Sequence, residues 1–145
     1  MRIFWSNVQN YSTLIACLPN ESKEIFSKNG IIISTPYLRF PIFNYATFCK
    51  VLSINRVHYE IKGLLKKPQQ NLNNNTHIVV QEICKMLMSQ ISSLKSLTFL
   101  QYNYLTFTFY PGSKDCLKNL SELHCNSEIS SEFFYHLSQI YNHLI

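Results

Sequence analysis

"SLKSLTFLQY" (residues 93–102) and "CLKNLSELHC" (residues 116–125) are two versions of one phrase, and their reading decides the fold. Set 23 residues apart (117 − 94), each carries Leu-x-x-Leu-x-x-Leu-x and then a residue suited to burial, Tyr102 in one and Cys125 in the other. Leu94 and Leu97 are three apart, as are Leu117 and Leu120, which sets each pair on one side of a helical turn. Leu100 and Tyr102 are two apart, as are Leu123 and Cys125, which sets each pair on one face of a strand. The phrase therefore changes from helical to strand period at the same point in both copies. In this phase Phe99, Gln101, Glu122 and His124 face the opposite way, and they are the candidate partner-binding residues.

A unit that runs from helix to strand and recurs every 20–29 residues is the signature of leucine-rich repeats. One unit cannot hide its apolar side, whereas stacked units can, with their strands parallel. Full repeats carry Asn or Cys three residues past the last strand position. Leu105 and Glu128 stand there instead, so these repeats are degenerate. The expected fold class is α/β: a helical N-terminal half, then degenerate leucine-rich-repeat-like helix–strand units.

Outward from the phrase, "HIVVQEICKMLMSQI" puts Val79, Val80, Ile83, Leu87 and Ile91 on one stripe of an amphipathic helix, with Thr76 as its cap. "PQQNLNNN" before it reads as a loop. "FNYATFCKVLSINRVHYEIKGLLKK" reads as helix, through Phe43, Phe48, Leu52, Val57, Ile61, Leu64 and Leu65. "NYSTLIACLPNESKEIFSKNG" reads as two short helices divided at Pro19, with Asn20 suited to cap the second and Asn29-Gly30 to stop it. "GIIIS" is a short strand or an extended link. Between the two phrases, Leu105, Phe107 and Phe109 alternate before a Pro-Gly turn and suggest extended chain. After them, Phe133, Leu137, Ile140 and Leu144 mark a closing helix capped by Ser130 or Ser131. The expected organisation is a helical region over 1–67, an Asn-rich loop over 68–75, and repeat-like units over 76–145 as one continuous domain.

The chain has 145 residues and a net charge of +5, from 13 Lys and Arg against 8 acids. The basic residues are scattered and form no Arg-rich run, which reads as a solvated surface rather than a nucleic-acid groove. Five cysteines without CxxC spacing point to an intracellular, reduced protein. No stretch is long and apolar enough to span a bilayer, so no membrane partner and a cytoplasmic or nuclear location are expected.

Catalytic chemistry finds little support. Three glycines, Gly30, Gly63 and Gly112, stand far apart and cannot build a phosphate-cradling loop. Asp115 is the only aspartate, and the seven glutamates are dispersed. His124, Cys125, His136 and His143 are the one metal-like grouping, and they lack the close ligand spacing of a zinc site. No catalytic residue, metal or cofactor is expected.

"LKNLSELHC" followed by "ISSEFFYHLSQI" resembles F-box proteins with degenerate leucine-rich repeats, an expanded group in fungi, and "FNYATFCKVLSI" and "NHLI" resemble segments of the same group. In that family an N-terminal F-box docks on the adaptor of a cullin-type ubiquitin ligase, and the repeats bind the protein to be ubiquitinated. "IFW", Ile3 to Trp5, resembles the end of an F-box, which implies that the F-box itself is largely missing. The resemblance thus implies a non-enzymatic substrate-recognition part, an unidentified protein substrate as partner, and adaptor docking in doubt. Two other readings stay open: a basic single-stranded nucleic-acid binder, and a truncated gene product without function.

Overall fold

A computed structural model of the chain describes residues 8–33, 47, 49–65, 71–99, 107–126 and 131–142. The chain divides into two compact units. One draws its described residues from 8–33 and 56–84, the other from 47–55 and 85–142.

The first of these units is helical. Helix α1 spans Val8–Ala16 and helix α2 spans Asn20–Lys28. Pro19 separates them as sequence suggests, in extended conformation (φ −65°, ψ 161°), since its ring disfavours helix at the residue before it. Asn20 is the first residue of α2, not its cap. The α2 terminus closes as a Schellman motif: Gly30, at φ +65°, donates its N–H to Ser27 O, and Ile31 donates to Phe26 O at 2.9 Å. Phe26 and Ile31 are both buried, which seals the turn with an apolar contact position on each side. Ile33 forms an isolated antiparallel bridge with Leu65, so the short extended link is real as far as Ile33.

Helix α3 spans Ile54–Leu64 and helix α4 spans Leu72–Gln90. Within this unit Val57, Ile61, Leu64, Val79, Val80, Ile83 and Cys84 form the buried faces. Two acids are buried with them. Glu60 pairs with Arg56 Nε at 3.1 Å, and Glu82 accepts a hydrogen bond from Ser22 Oγ at 3.0 Å. The α4 stripe agrees with expectation, but the helix starts earlier than the Asn-rich loop allowed. Leu72 to Asn75 are already helical, and Thr76 lies inside the helix, its Oγ1 donating to Leu72 O at 2.7 Å rather than capping. Asn71, in the left-handed region at φ +59°, precedes the first helical residue. Asn tolerates that region better than most residues.

The other unit holds a three-stranded parallel sheet in the order β1-β2-β3, with β1 at Val51–Ser53, β2 at Ser96–Phe99 and β3 at Glu122–Cys125. Strand pairing of the two phrases, in parallel, is therefore as expected, but the register is not. Leu97 lies beside Leu123, a separation of 26 residues (123 − 97), where the phrases had suggested 23. Leu97 takes the strand position that the Leu100–Tyr102 assignment gave to Leu100, three residues earlier. Leu97 is a strand residue rather than part of a helical turn, and residues 100–102 lie outside the described ones. The expected helix over the region from Phe43 is also corrected. Leu52 is the centre of β1, paired with Leu97, and α3 starts after the strand at Ile54, while Phe43 and Phe48 lie outside the described residues.

Each strand presents the same three inward positions. They are Cys49, Leu52 and Ile54; Leu94, Leu97 and Phe99; Leu120, Leu123 and Cys125. In the first two sets every side chain is 2% exposed or less, whereas Leu123 and Cys125 are only half-buried. Phe99 packs edge-on against Phe133, their ring centroids 4.9 Å apart.

The connection from β2 to β3 contains a 3-10 turn at Phe107–Phe109, where alternation had suggested extended chain, and then helix α5 at Ser113–Leu117. Between them Gly112 takes φ +85°. A Cβ there would lie 2.7 Å from Met88 O and 2.8 Å from Ser89 Cα, so the turn presses against the backbone of α4. Helix α6, Ser131–Asn142, is the closing helix, burying Phe133, Leu137 and Ile140.

Candidate functional site

The face of the sheet opposite the Leu52–Leu97–Leu123 row is built from two cross-strand rows. Val51, Ser96 and Glu122 form one, and Ser53, Thr98 and His124 form the other. Strand spacing of about 4.8 Å sets each row across roughly 10 Å. The centre of this face is small and polar, and its β3 margin carries the ionisable pair Glu122 and His124, their side chains 3.7 Å apart and both well exposed.

A repeated main-chain device aligns the strands. Lys50 O accepts from Lys95 N (2.9 Å) and Ser96 N (3.0 Å), and Lys95 O accepts from Ser121 N (2.9 Å) and Glu122 N (3.0 Å). The residue before each of the first two strands thus receives two amides from the next strand's start. Ser93 ties the same edge together: its carbonyl accepts from Lys50 Nζ at 3.1 Å, and its hydroxyl accepts from Asn119 Nδ2 at 2.9 Å. Leu94 N donates to Cys116 O at 2.8 Å. These bonds hold the backbone under the face in place, so its side chains stand on a fixed frame.

Of the four residues proposed for partner binding, the structure puts Glu122 and His124 on this face, exposed as expected. Phe99 is a correction. It is 1% exposed and shares the inward phase of Leu97, because Leu97 takes the strand position that the phrase gave to Leu100. Gln101 lies outside the described residues. The positions on β2 that do face outward are Ser96 and Thr98, which the sequence reading missed. Aligning Leu97 with Leu123 and Leu52 would have found them.

Cys49, Cys84 and Cys116 are buried; burial drives the Cys84 thiol far above the ordinary range, and burial together with neighbouring Cys49 pushes Cys116 up to about 12. Cys17 is half-buried, and burial raises it against the pull of Lys23. Thiolates, not thiols, are nucleophiles, so Cys17, Cys84 and Cys116 are held in the inert form. The five cysteines form no disulfide. Among the described residues no three His, Cys, Asp or Glu side chains gather into a metal-holding group; His143 lies outside them.

In the helical unit His58 and His77 face each other with ring centroids 5.6 Å apart. Burial lowers both below the usual imidazole range, and His58 is lowered further by His77 and Lys62. A second exposed surface lies at α6, where His136 packs edge-on to Phe109 with centroids 4.3 Å apart and Tyr135 stands beside it. Glu132 Oε1 lies 3.6 Å from His136 Nε2. No described helix is long and apolar enough to cross a membrane.

Comparison with known proteins finds no family model, no curated protein and no solved structure that matches this chain. What the chain can be said to be is therefore a mixed α/β protein with a small parallel sheet.

Proposed function

We propose that this chain is a non-enzymatic protein-recognition module built on degenerate leucine-rich repeats. It acts as the substrate-recognition part of an F-box-type ubiquitin-ligase receptor, in the cytoplasm or nucleus. The observation that carries this reading is the in-register stack of three parallel strands with the pattern apolar-x-x-apolar-x-apolar at Cys49–Ile54, Leu94–Phe99 and Leu120–Cys125. The pattern matches the leucine-rich consensus, and the 26-residue step from Leu97 to Leu123 falls within the repeat's usual 20–29 residues. Stacked repeats bind partners across the face their strands line. Here that face is Val51, Ser53, Ser96, Thr98, Glu122 and His124, polar everywhere but at Val51 and suited to hydrogen bonds with an exposed protein segment.

The test is capture of partners by the wild-type chain and by Thr98→Arg, which sets a long cation in the middle of the face. One or more proteins held by wild type, lost by Thr98→Arg and retained by a control change at exposed Glu24 fit the reading. Identical recovery by all three sinks it. A nucleic-acid partner would show itself instead by affinity that falls steeply with salt.

A further inference from the structure

Among the described residues the third strand is an outer edge of the sheet. Glu122 N donates to Lys95 O on the β2 side, so Glu122 and, two residues on, His124 aim their main-chain groups at β2. Leu123 and Cys125 therefore aim their N–H and C=O groups away from the sheet, and no described residue pairs with them. Their side chains are half-buried where the equivalent Leu52, Ile54, Leu97 and Phe99 are almost fully covered. Exposed strand edges are templates for another chain, and proteins commonly blunt them with charge, proline or a covering element. The only charge on β3 is the alternating Glu122–His124 pair.

That pair is self-complementary. We propose that β3 pairs antiparallel with β3 of a second copy of this chain, about a two-fold axis at Leu123. In that register Leu123 faces its symmetry mate as a hydrogen-bonded pair, each N–H donating to the other's C=O. Glu122 of each copy then stands opposite His124 of the other, twice over, in the closer non-hydrogen-bonded positions where cross-strand side chains interact most. On the inward face the two half-buried Leu123 side chains cover each other. Shifting the register by one residue in either direction loses both carboxylate–imidazole pairs and turns Leu123 main-chain groups away from their mate. The edge thus favours one self-pairing. A strand of four residues makes this a weak, concentration-dependent dimer rather than an obligate one.

The experiment is sedimentation velocity on the full chain over a concentration series, with two single variants and their mixture. The wild-type sedimentation coefficient rises with concentration. Glu122→Lys sets an ammonium against His124 of the other copy, and His124→Glu opposes two carboxylates; each weakens self-association by about tenfold through two unfavourable cross-strand pairs. Mixed in equal amounts, the two variants pair with each other at wild-type strength. In that mixed dimer the introduced lysine meets the introduced glutamate, and the retained His124 of one copy meets the retained Glu122 of the other. A general loss of folding cannot produce that rescue. A second reading needs no variant: hydrogen exchange at the Leu123 amide slows as wild-type concentration rises, while that at Leu97 does not. A wild type that stays monomeric, variants that associate as wild type does, a mixture no stronger than its components, or a Leu123 amide indifferent to concentration each overturns the proposal.

Discussion

Replacing the glycines one at a time turns the backbone geometry into numbers. Gly112→Ala meets two penalties. Its φ of +85° is a left-handed conformation that burdens an L-residue by about 1 kcal/mol. Its new Cβ would also sit 2.7 Å from Met88 O and 2.8 Å from Ser89 Cα, so α4 or the turn must yield by several tenths of an ångström to reach ordinary contact. Overpacking of that kind costs about 1–3 kcal/mol, and because both neighbours are backbone no side chain can swing aside. The expected loss is the sum, about 2–4 kcal/mol. Gly30 isolates the first penalty, since its φ is +65° but nothing lies within 4 Å of its Cβ; Gly30→Ala is expected to lose only about 1 kcal/mol. Gly63, inside α3 with open space around it, should gain up to about 1 kcal/mol as Ala. Urea denaturation followed by circular dichroism ranks the three. If Gly112→Ala and Gly30→Ala lose the same stability, the turn before α5 does not press on α4 and that packing is wrong.

Two further outcomes are expected. Brief treatment of the folded protein with a thiol reagent should modify Cys125 first and Cys17 more slowly, leaving Cys49, Cys84 and Cys116 untouched until denaturant is added; mass spectrometry reads the order, and early modification of Cys84 would contradict its burial. Stability should also fall with acid: His58 and His77 are depressed on folding, so below about pH 6.5 the unfolded chain binds protons that the native one resists, and the stability present above that pH is lost as pH drops. The melting temperature should decline more steeply on acidification from neutral pH in wild type than in a His58→Gln/His77→Gln variant, and parallel slopes would count against the paired environment.

The helical parts were written plainly in the sequence. A stripe such as Val79, Val80, Ile83 and Leu87 has only one regular structure that gathers it, and Pro19 and Gly30 mark boundaries by covalent geometry alone. The sheet was legible in kind but not in phase. Leucines at 94, 97, 100 and 117, 120, 123 repeat every three residues, so two alignments differing by three fit equally well, and only Phe99 against Cys125 favours the true one. The choice mattered: it turned Phe99 from a surface residue into a core one. The first strand escaped notice because it is three residues long and runs directly into α3, with no glycine or proline to part them. Leu52 fits a helical stripe with Val57 and Ile61 as well as it fits a strand centre, and what decides is a partner 45 residues away (97 − 52) that local spacing cannot see. The outward face was half recovered, because Glu122 and His124 keep the same phase under either alignment.

Lys50 and Lys95 offer their carbonyls in the same way although the chain spends 45 residues (95 − 50) travelling from the first to the second and only 26 from the second to Ser121 (121 − 95). The seat for each new strand is therefore indifferent to contour length. Nineteen extra residues (45 − 26) can be absorbed between two strands without altering a single step in the ladder. Relatives of this chain could then differ greatly in length while keeping an identical spine, and their kinship would be easier to recover from the pattern of shared carbonyls than from aligned letters.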